Sequence, residues 1–152
     1  MENNKYYVPE IEEFRVGFEY ERMNGDKWEK DELGKTDCFG THARGYENEF
    51  EEICMGIRSV RVKYLDSQDI EELGFTLKHK VVDLWFEKEG TFESPAKETY
   101  LYSKIFINYG LHDRYCKIRA KYASDNDEIE LFRGTILNKS ELIWILKRIG
   151  VL

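Results

Sequence analysis

One stretch of the sequence, YCKIRAKY at residues 115–122, alternates between two kinds of side chain. Every second residue is small, apolar or aromatic, and the residues between them are mostly cationic. A period of two is typical of a strand that buries one face. We predict that such a strand has two sets of side chains: Cys116, Ile118, Ala120 and Tyr122 towards a core, and Tyr115, Lys117, Arg119 and Lys121 away from it.

Two further strands are predicted beside this one, at about residues 99–109 and 128–137. The connecting segments, 110–113 and 124–127, are short and rich in Gly, Asp, Asn and Ser, which are turn-forming residues. Connections of this length join antiparallel neighbours. The C-terminal half is therefore predicted to contain an antiparallel meander.

The strand at 99–109 is predicted to have the same two-faced character. On its core side we place Leu101, Ile105 and Ile107. Its opposite face, together with that of 115–122, would be both basic and aromatic. The residues assigned to that opposite face are Tyr100, Tyr102, Lys104, Phe106 and Asn108.

Earlier strands follow from the same alternation. We predict one at 14–20, a turn at 24–26 with a returning strand near Trp28, one at 60–64 and one at 75–87. The apolar residues assigned to buried faces of these strands are Phe14, Val16, Phe18, Tyr20, Val60, Val62, Tyr64, Val82, Leu84 and Phe86.

Helices are predicted at three places. One covers about 50–57 with Cys54 on its apolar stripe, and a short one follows the N-cap signal Asp66-Ser67 and ends at Gly74. The last follows Ser140 as N-cap and stops at Gly150. Its apolar stripe, which we expect to pack on the sheet, is Leu142, Ile145, Leu146 and Ile149.

These elements predict an α+β fold: a mainly antiparallel sheet of about five to seven strands with two or three short helices. The chain of 152 residues is 41% hydrophobic and 14% aromatic, unlike a disordered chain. With no linker visible, we predict a single domain over 1–152. An odd number of cysteines, no signal pattern and no long apolar run predict a cytoplasmic location.

Charge is distributed unevenly along the chain. Residues 1–58 carry 15 acidic and 8 Lys or Arg residues, whereas 59–152 carry 15 of each. The net charge of −7 argues against unspecific DNA binding, which needs a basic surface. The acidic half is a solvated surface, a face for a basic partner or a mimic of nucleic acid, and a protein partner would contact Glu47, Glu49, Glu51 and Glu52.

Sites for chemistry are sparse. The pairs Cys38/His42 and His112/Cys116 have a spacing that zinc sites use, but Cys116 falls on the core side of a strand, so we predict no metal site. Cys38 beside His42 lacks a third catalytic group. Glu19 and Glu21 share a strand face, which leaves a small hydrolase or a metal-dependent nuclease as an alternative.

Three stretches resemble a group of small uncharacterised proteins of gut bacteria and their phages. They are YYVPEIEEF at 6–14 with GFEYE at 17–21, VRVKYLD at 60–66 with DIEELGF at 69–75, and FRGTI at 132–136 with NKSEL at 138–142. The resemblance implies a phage or mobile-element origin, and a host cytoplasm as the location, but no chemistry.

The sequence therefore predicts a non-enzymatic binding protein without cofactor, metal or catalytic residue. A small anionic, nucleotide-like ligand is expected on the basic aromatic face, because rings stack on bases and cations hold phosphates. A host protein bound through the acidic half is the alternative partner, and no membrane partner or oligomeric state is predicted. The predicted ligand-binding residues are Tyr102, Lys104, Phe106, Tyr115, Lys117, Arg119 and Lys121.

Overall fold

The computed structural model describes residues 5–34, 59–93, 101–124 and 127–152. By their internal contacts the residues fall into two compact units, 1–64 and 65–152. The α+β fold predicted from the sequence is confirmed: the described residues form two antiparallel sheets, of four and five strands, and two α-helices. None of the helices in these ranges is long and apolar enough to span a membrane. The single domain over 1–152 stays a prediction.

The first unit contains a four-stranded antiparallel sheet in the order β1-β4-β2-β3. Gly25, at a φ of +60°, makes the predicted turn between β2 and β3. A small apolar cluster of Phe18, Tyr20, Leu33, Val60 and Val62 lies under this sheet. The strands are β1 (Tyr6–Tyr7), β2 (Glu19–Asn24), β3 (Lys27–Glu32) and β4 (Val60–Lys63), and a short 3-10 helix covers Ile11–Glu13.

The strand predicted at 14–20 is wrong over most of its length, because β2 begins only at Glu19. Gly17 has a φ of +84°, and the Phe18 N–H donates to the Arg15 carbonyl at 2.9 Å, so the chain turns here. Val16 is consequently 47% exposed, although its alternation with Phe18 placed it in the core. A turn can imitate a period of two when it places its apolar residues at even spacing.

The second unit is built on a five-stranded antiparallel meander in the order β5-β6-β7-β8-β9, which confirms the predicted C-terminal meander. One short and one longer helix complete it. The strands are β5 (Thr76–Lys80), β6 (Asp83–Glu93), β7 (Leu101–Gly110), β8 (Tyr115–Tyr122) and β9 (Glu128–Thr135), and the helices are α1 (Ser67–Glu72) and α2 (Lys139–Arg148).

Both helices have clear ends. Asp66 caps α1 in a reciprocal capping box with Asp69, and Gly74 follows the helix at a φ of +86°. The predicted N-cap of α2 is wrong: Asn138, not Ser140, accepts the Glu141 N–H at 2.8 Å. The apolar stripe of α2 joins side chains of the sheet in one buried cluster, so the predicted packing of helix on sheet is confirmed.

The single strand predicted at 75–87 is in fact a hairpin. The chain reverses at Val81 and Val82, and β5 pairs back onto β6. Val82, predicted to be buried, is therefore 77% exposed at the hairpin tip, whereas Leu84 and Phe86 are buried as predicted. The two residues at the tip are β-branched, and such residues favour strands. Residue propensities therefore predict a continuous strand where the chain in fact reverses.

A β-bulge in β7 overturns the predicted face of two residues. Pairing shifts between Tyr102↔Tyr122 and Lys104↔Lys121, so Ser103 is an extra residue in β7. Tyr102 is consequently 4% exposed within the core, and Leu101, predicted for the core, is 41% exposed. Beyond the bulge the predicted alternation holds, with Ile105 and Ile107 fully buried.

Several predictions lie outside the described residues. These are Tyr100, the loop with Cys38 and His42, and the helix at 50–57 with Cys54 and the acidic residues Glu47, Glu49, Glu51 and Glu52.

Candidate ligand-binding site

The five-stranded sheet has an inner face, which packs on α2, and an outer face. We use "outer face" for the side chains of β6 to β9 that point away from the buried cluster. Cross-strand pairing groups them: Glu89 is opposite Lys104, Asn108 opposite Lys117, and Lys121 opposite Glu128. The outer face comprises Trp85, Glu87, Glu89, Lys104, Phe106, Asn108, Tyr115, Lys117, Arg119, Lys121, Glu128, Glu130 and Arg133.

Acidic residues of the two flanking strands balance much of the predicted positive charge of the outer face. Lys104 Nζ lies 2.8 Å from Glu89 and 3.4 Å from Glu87, both on β6. The hydrogen bond between Lys104 and Glu89 raises the pKa of the lysine and lowers that of the carboxyl. The strand β7 contributes a cation to the middle of the sheet, but in the folded protein this cation is paired with acidic residues of the neighbouring strand.

The same pairing reaches the next two cations, which come from β8. Lys117 Nζ lies 3.0 Å from Glu130, and Arg119 Nη1 lies 2.7 Å from Glu128. Arg133 and Lys117 both hydrogen-bond Glu130, and together they lower its pKa. Each of these two β8 cations is thus held by one carboxylate of β9. Its other N–H groups form no ion pair with β9.

Aromatic rings support Arg119 from below. Trp85 and Phe106 meet edge to face with their centroids 5.9 Å apart. The Arg119 guanidinium lies 4.9 Å from the Trp85 ring and 5.7 Å from the Phe106 ring. These cation–π contacts fix the position of the guanidinium on the sheet.

A polar pocket of about 280 Å³ opens on the outer face at the end of the sheet where β7 turns into β8. Residues from β6, β7, β8 and the turn at 110–113 surround it. Lys117 and Arg119 contribute cations, Tyr115 contributes a 40% exposed ring, and the others are acidic or neutral. Its lining consists of Asp83, Asn108, Gly110, Asp113, Tyr115, Lys117 and Arg119.

The turn itself shapes one end of the pocket. The Arg114 N–H donates to the Gly110 carbonyl at 2.9 Å, with Arg114 at a φ of +58°. A Cβ on Gly110 would stand 2.2 Å from Asp113 Oδ1 and 3.4 Å from Asp83 Oδ1, so a larger residue there would displace the Asp113 side chain. The two carboxylates therefore approach the same point, and Asp113 is anchored by the Tyr115 N–H at 3.0 Å.

Two polar atoms in the pocket wall have no hydrogen-bond partner in the part of the chain that the structure describes. They are Asn108 Oδ1, an acceptor, and Arg119 Nε, a donor, and both are buried. An unmade hydrogen bond at a buried polar atom costs free energy, typically about 1–3 kcal/mol. Both atoms are covered by surrounding protein atoms, so this cost belongs to the fold and is not by itself open to a ligand.

Of the seven predicted ligand-binding residues, the pocket brings together Tyr115, Lys117 and Arg119. Phe106 lies beneath Arg119 with 7% exposure, Lys104 is held by its two glutamates, and Lys121 lies further along β8 opposite Glu128. Tyr102 is not on the outer face at all. Sequence reasoning missed Asp83, Gly110 and Asp113, although the turn signal at 110–113 marked where the pocket would form.

Other candidate sites are weaker among the described residues. No three His, Cys, Asp or Glu side chains in these ranges are grouped so as to hold a metal ion. His112 is exposed, whereas Cys116 is fully buried on the inner face, where burial raises the thiol pKa to about 12. Glu21, half of the proposed acid pair, is bound by Arg61 at 2.7 Å.

Comparisons of the chain with protein-family models, with curated proteins and with solved structures found no match.

Proposed function

We propose that this protein is a non-enzymatic binding protein, of phage or mobile-element origin, that captures a small anionic, nucleotide-like ligand in the outer-face pocket. One observation carries the proposal: Lys117 and Arg119 stand beside the exposed Tyr115 ring in the wall of one pocket. Cations for a phosphate and a ring for a base are the two elements that sequence-independent nucleotide binding uses.

Both cations keep donors for a ligand despite their ion pairs. An ammonium has three N–H donors and a guanidinium has five. Lys117 is engaged with Glu130, and Arg119 uses Nη1 on Glu128, which leaves other N–H groups of the ammonium and of the guanidinium for a ligand. A phosphate can therefore be bound without breaking either ion pair.

The size of the pocket restricts the ligand. Pockets for drug-sized ligands usually measure about 300–1,000 Å³. A volume of about 280 Å³ lies just below this range and suits one nucleotide better than an oligonucleotide. The paired charges of the outer face beyond the pocket also offer little attraction for a long polyanion.

The test is thermal unfolding and isothermal titration of the full chain against nucleoside monophosphates, inorganic phosphate and a short oligonucleotide. A ligand at about 100 times its dissociation constant stabilises a protein by about 2.7 kcal/mol, which raises the unfolding temperature by several degrees. Lys117→Gln is the site variant. Lys147→Gln, which removes the same charge from an exposed position in the last turn of α2, is its matched control.

We expect a mononucleotide to bind and Lys117→Gln to weaken it about 10-fold or more, since a charged hydrogen bond contributes about 1.5–3 kcal/mol. Lys147→Gln should bind like the unmodified chain. An equal loss of affinity in both variants would show that only the overall charge matters and would contradict the proposed site. If no nucleotide raises the unfolding temperature, the proposal is refuted.

A further inference from the structure

The outer-face pocket is bipolar, with acceptors at one end and cations at the other. Asp83 is opposite Gly110 in the β6–β7 pairing, which places it with Asp113 at the turn. Asn108 is opposite Lys117, one pleat further from the turn, and Arg119 lies another pleat beyond. At roughly 3.3 Å per residue, the two cations follow the acidic end at about 7 and 13 Å along the strands.

From this polarity we infer that the ligand is a nucleotide whose base carries an exocyclic amino group. The amino group is held by Asp83 and Asp113, and the phosphate by Lys117 and Arg119. The inference rests on the proposed function and specifies its ligand.

The acidic end has the capacity for such a group. Asp113 Oδ1 accepts one N–H, from Tyr115, and a carboxylate has room for several. The exposed Asp83 carboxylate accepts no hydrogen bond from the described residues. Two side chains, Asp83 and Asp113, thus present acceptor oxygens with few donors to satisfy them.

The same end rejects two kinds of ligand. A second phosphate would meet two like charges, since both carboxylates lie within 3.4 Å of one point above Gly110. A base with a carbonyl in place of the amino group would set oxygen against oxygen and leave the acceptors unpaired, which costs more than a missing apolar contact. The anion must therefore lie at the Lys117 end.

Guanine and hypoxanthine nucleotides differ only in the 2-amino group. Cytosine and uracil nucleotides differ in the exocyclic N–H₂, which is an oxygen in uracil, and also at N3, which carries a hydrogen only in uracil. Titration of the full chain with GMP and IMP isolates the amino group at constant phosphate charge, and titration with CMP and UMP tests it together with the change at N3.

We expect the aminated member of at least one pair to bind 10-fold or more tightly than its partner. Asp113→Asn and, separately, Asp83→Asn should reduce that preference to less than threefold while leaving UMP and IMP binding unchanged or tighter. Asp83 has an exposed side chain, so its variant keeps the test valid even where Asp113→Asn disturbs the turn. Glu71→Gln, an exposed acid on α1, is the matched control and should keep the full preference.

Two results would overturn the inference. If both members of each pair bind equally, or if the preference survives both aspartate variants, the amino group is not read by this end of the pocket, and the proposed function stands without it. If none of the four nucleotides binds, both the proposed function and this inference are refuted.

Discussion

Arg61 in the four-stranded sheet and Arg119 in the five-stranded sheet have similar surroundings, but they differ in how closely their guanidinium groups are held. Each lies against two aromatic rings and pairs with a glutamate. Arg61 is sandwiched at 3.9 Å from the Tyr6 ring and 4.1 Å from the Trp28 ring. Its Nε and Nη2 both contact Glu21 Oε2 at 2.7 Å.

Arg119 is held more loosely. Its two rings are at 4.9 and 5.7 Å, it reaches Glu128 through Nη1 alone, and its Nε has no partner among the described residues. Arg61, close to two rings and with two nitrogens on one carboxylate, stabilises the fold. Arg119, which lines a pocket and bonds its glutamate through one nitrogen, is suited to bind a ligand, and this difference orders the predictions below.

The largest effect is expected for Arg61→Ala. It removes two cation–π contacts and leaves the carboxylate of Glu21, 15% exposed, without its cation. We expect the free energy of unfolding in urea to fall by about 2–3 kcal/mol. Lys27→Ala, at an exposed site on β3, should change it by less than about 0.5 kcal/mol. Equal costs for the two variants would contradict the structural role of Arg61.

Arg119→Ala should cost less stability and more binding. Its looser stacking and exposed ion pair predict a loss of about 1 kcal/mol in the same urea experiment. Nucleotide affinity, measured by titration, should fall at least 10-fold because one of the two cations that line the pocket is lost. The comparison fails if Arg119→Ala destabilises the chain as much as Arg61→Ala and leaves affinity intact.

Glu130→Gln tests whether an acidic residue of β9 competes with the ligand for Lys117. It releases Lys117 from its carboxylate and leaves the ammonium free for a ligand anion. We expect nucleotide affinity to rise by about threefold, the scale of one exposed ion pair. Glu89→Gln, which removes one of the two carboxylates beside Lys104 outside the pocket, should leave affinity unchanged. A weaker affinity in Glu130→Gln would indicate that the ion pair positions Lys117 for binding.

The smallest effect is expected from acid pH. Arg133 and Lys117 lower the pKa of Glu130, and Lys104 lowers that of Glu89, below the ordinary 4.5. The unfolded chain therefore binds more protons, so these pairs contribute stability above pH 4.5 and lose it as pH falls through the lowered values. In unfolding experiments from pH 7 to pH 3, a Glu89→Gln, Glu130→Gln variant should show a shallower loss. If the free energy of unfolding falls equally steeply with pH in the variant and in the unmodified chain, these two carboxylates do not contribute to the acid dependence.

Much of the site was readable from one strand. The alternation of Tyr115, Lys117 and Arg119 with buried residues fixed their common face, since β8 contains no bulge of its own. Asp83 was not predictable, because the valines at 81–82 imitate a continuous strand and hide the hairpin that brings Asp83 opposite Gly110. Tyr102 was misplaced because a single extra residue in β7 inverts the alternation on one side of it.

The amino-acid sequence by itself determined the α+β class, the meander, the C-terminal helix and the outward side of β8. These follow from local periodicity, turn residues and caps, which act over a few residues. Only the tertiary structure decided which acids of β6 and β9 neutralise the cations, and which donors stay unpaired. Those properties depend on register between strands, and one bulge or one tight turn changes register without leaving a periodic signal in the sequence.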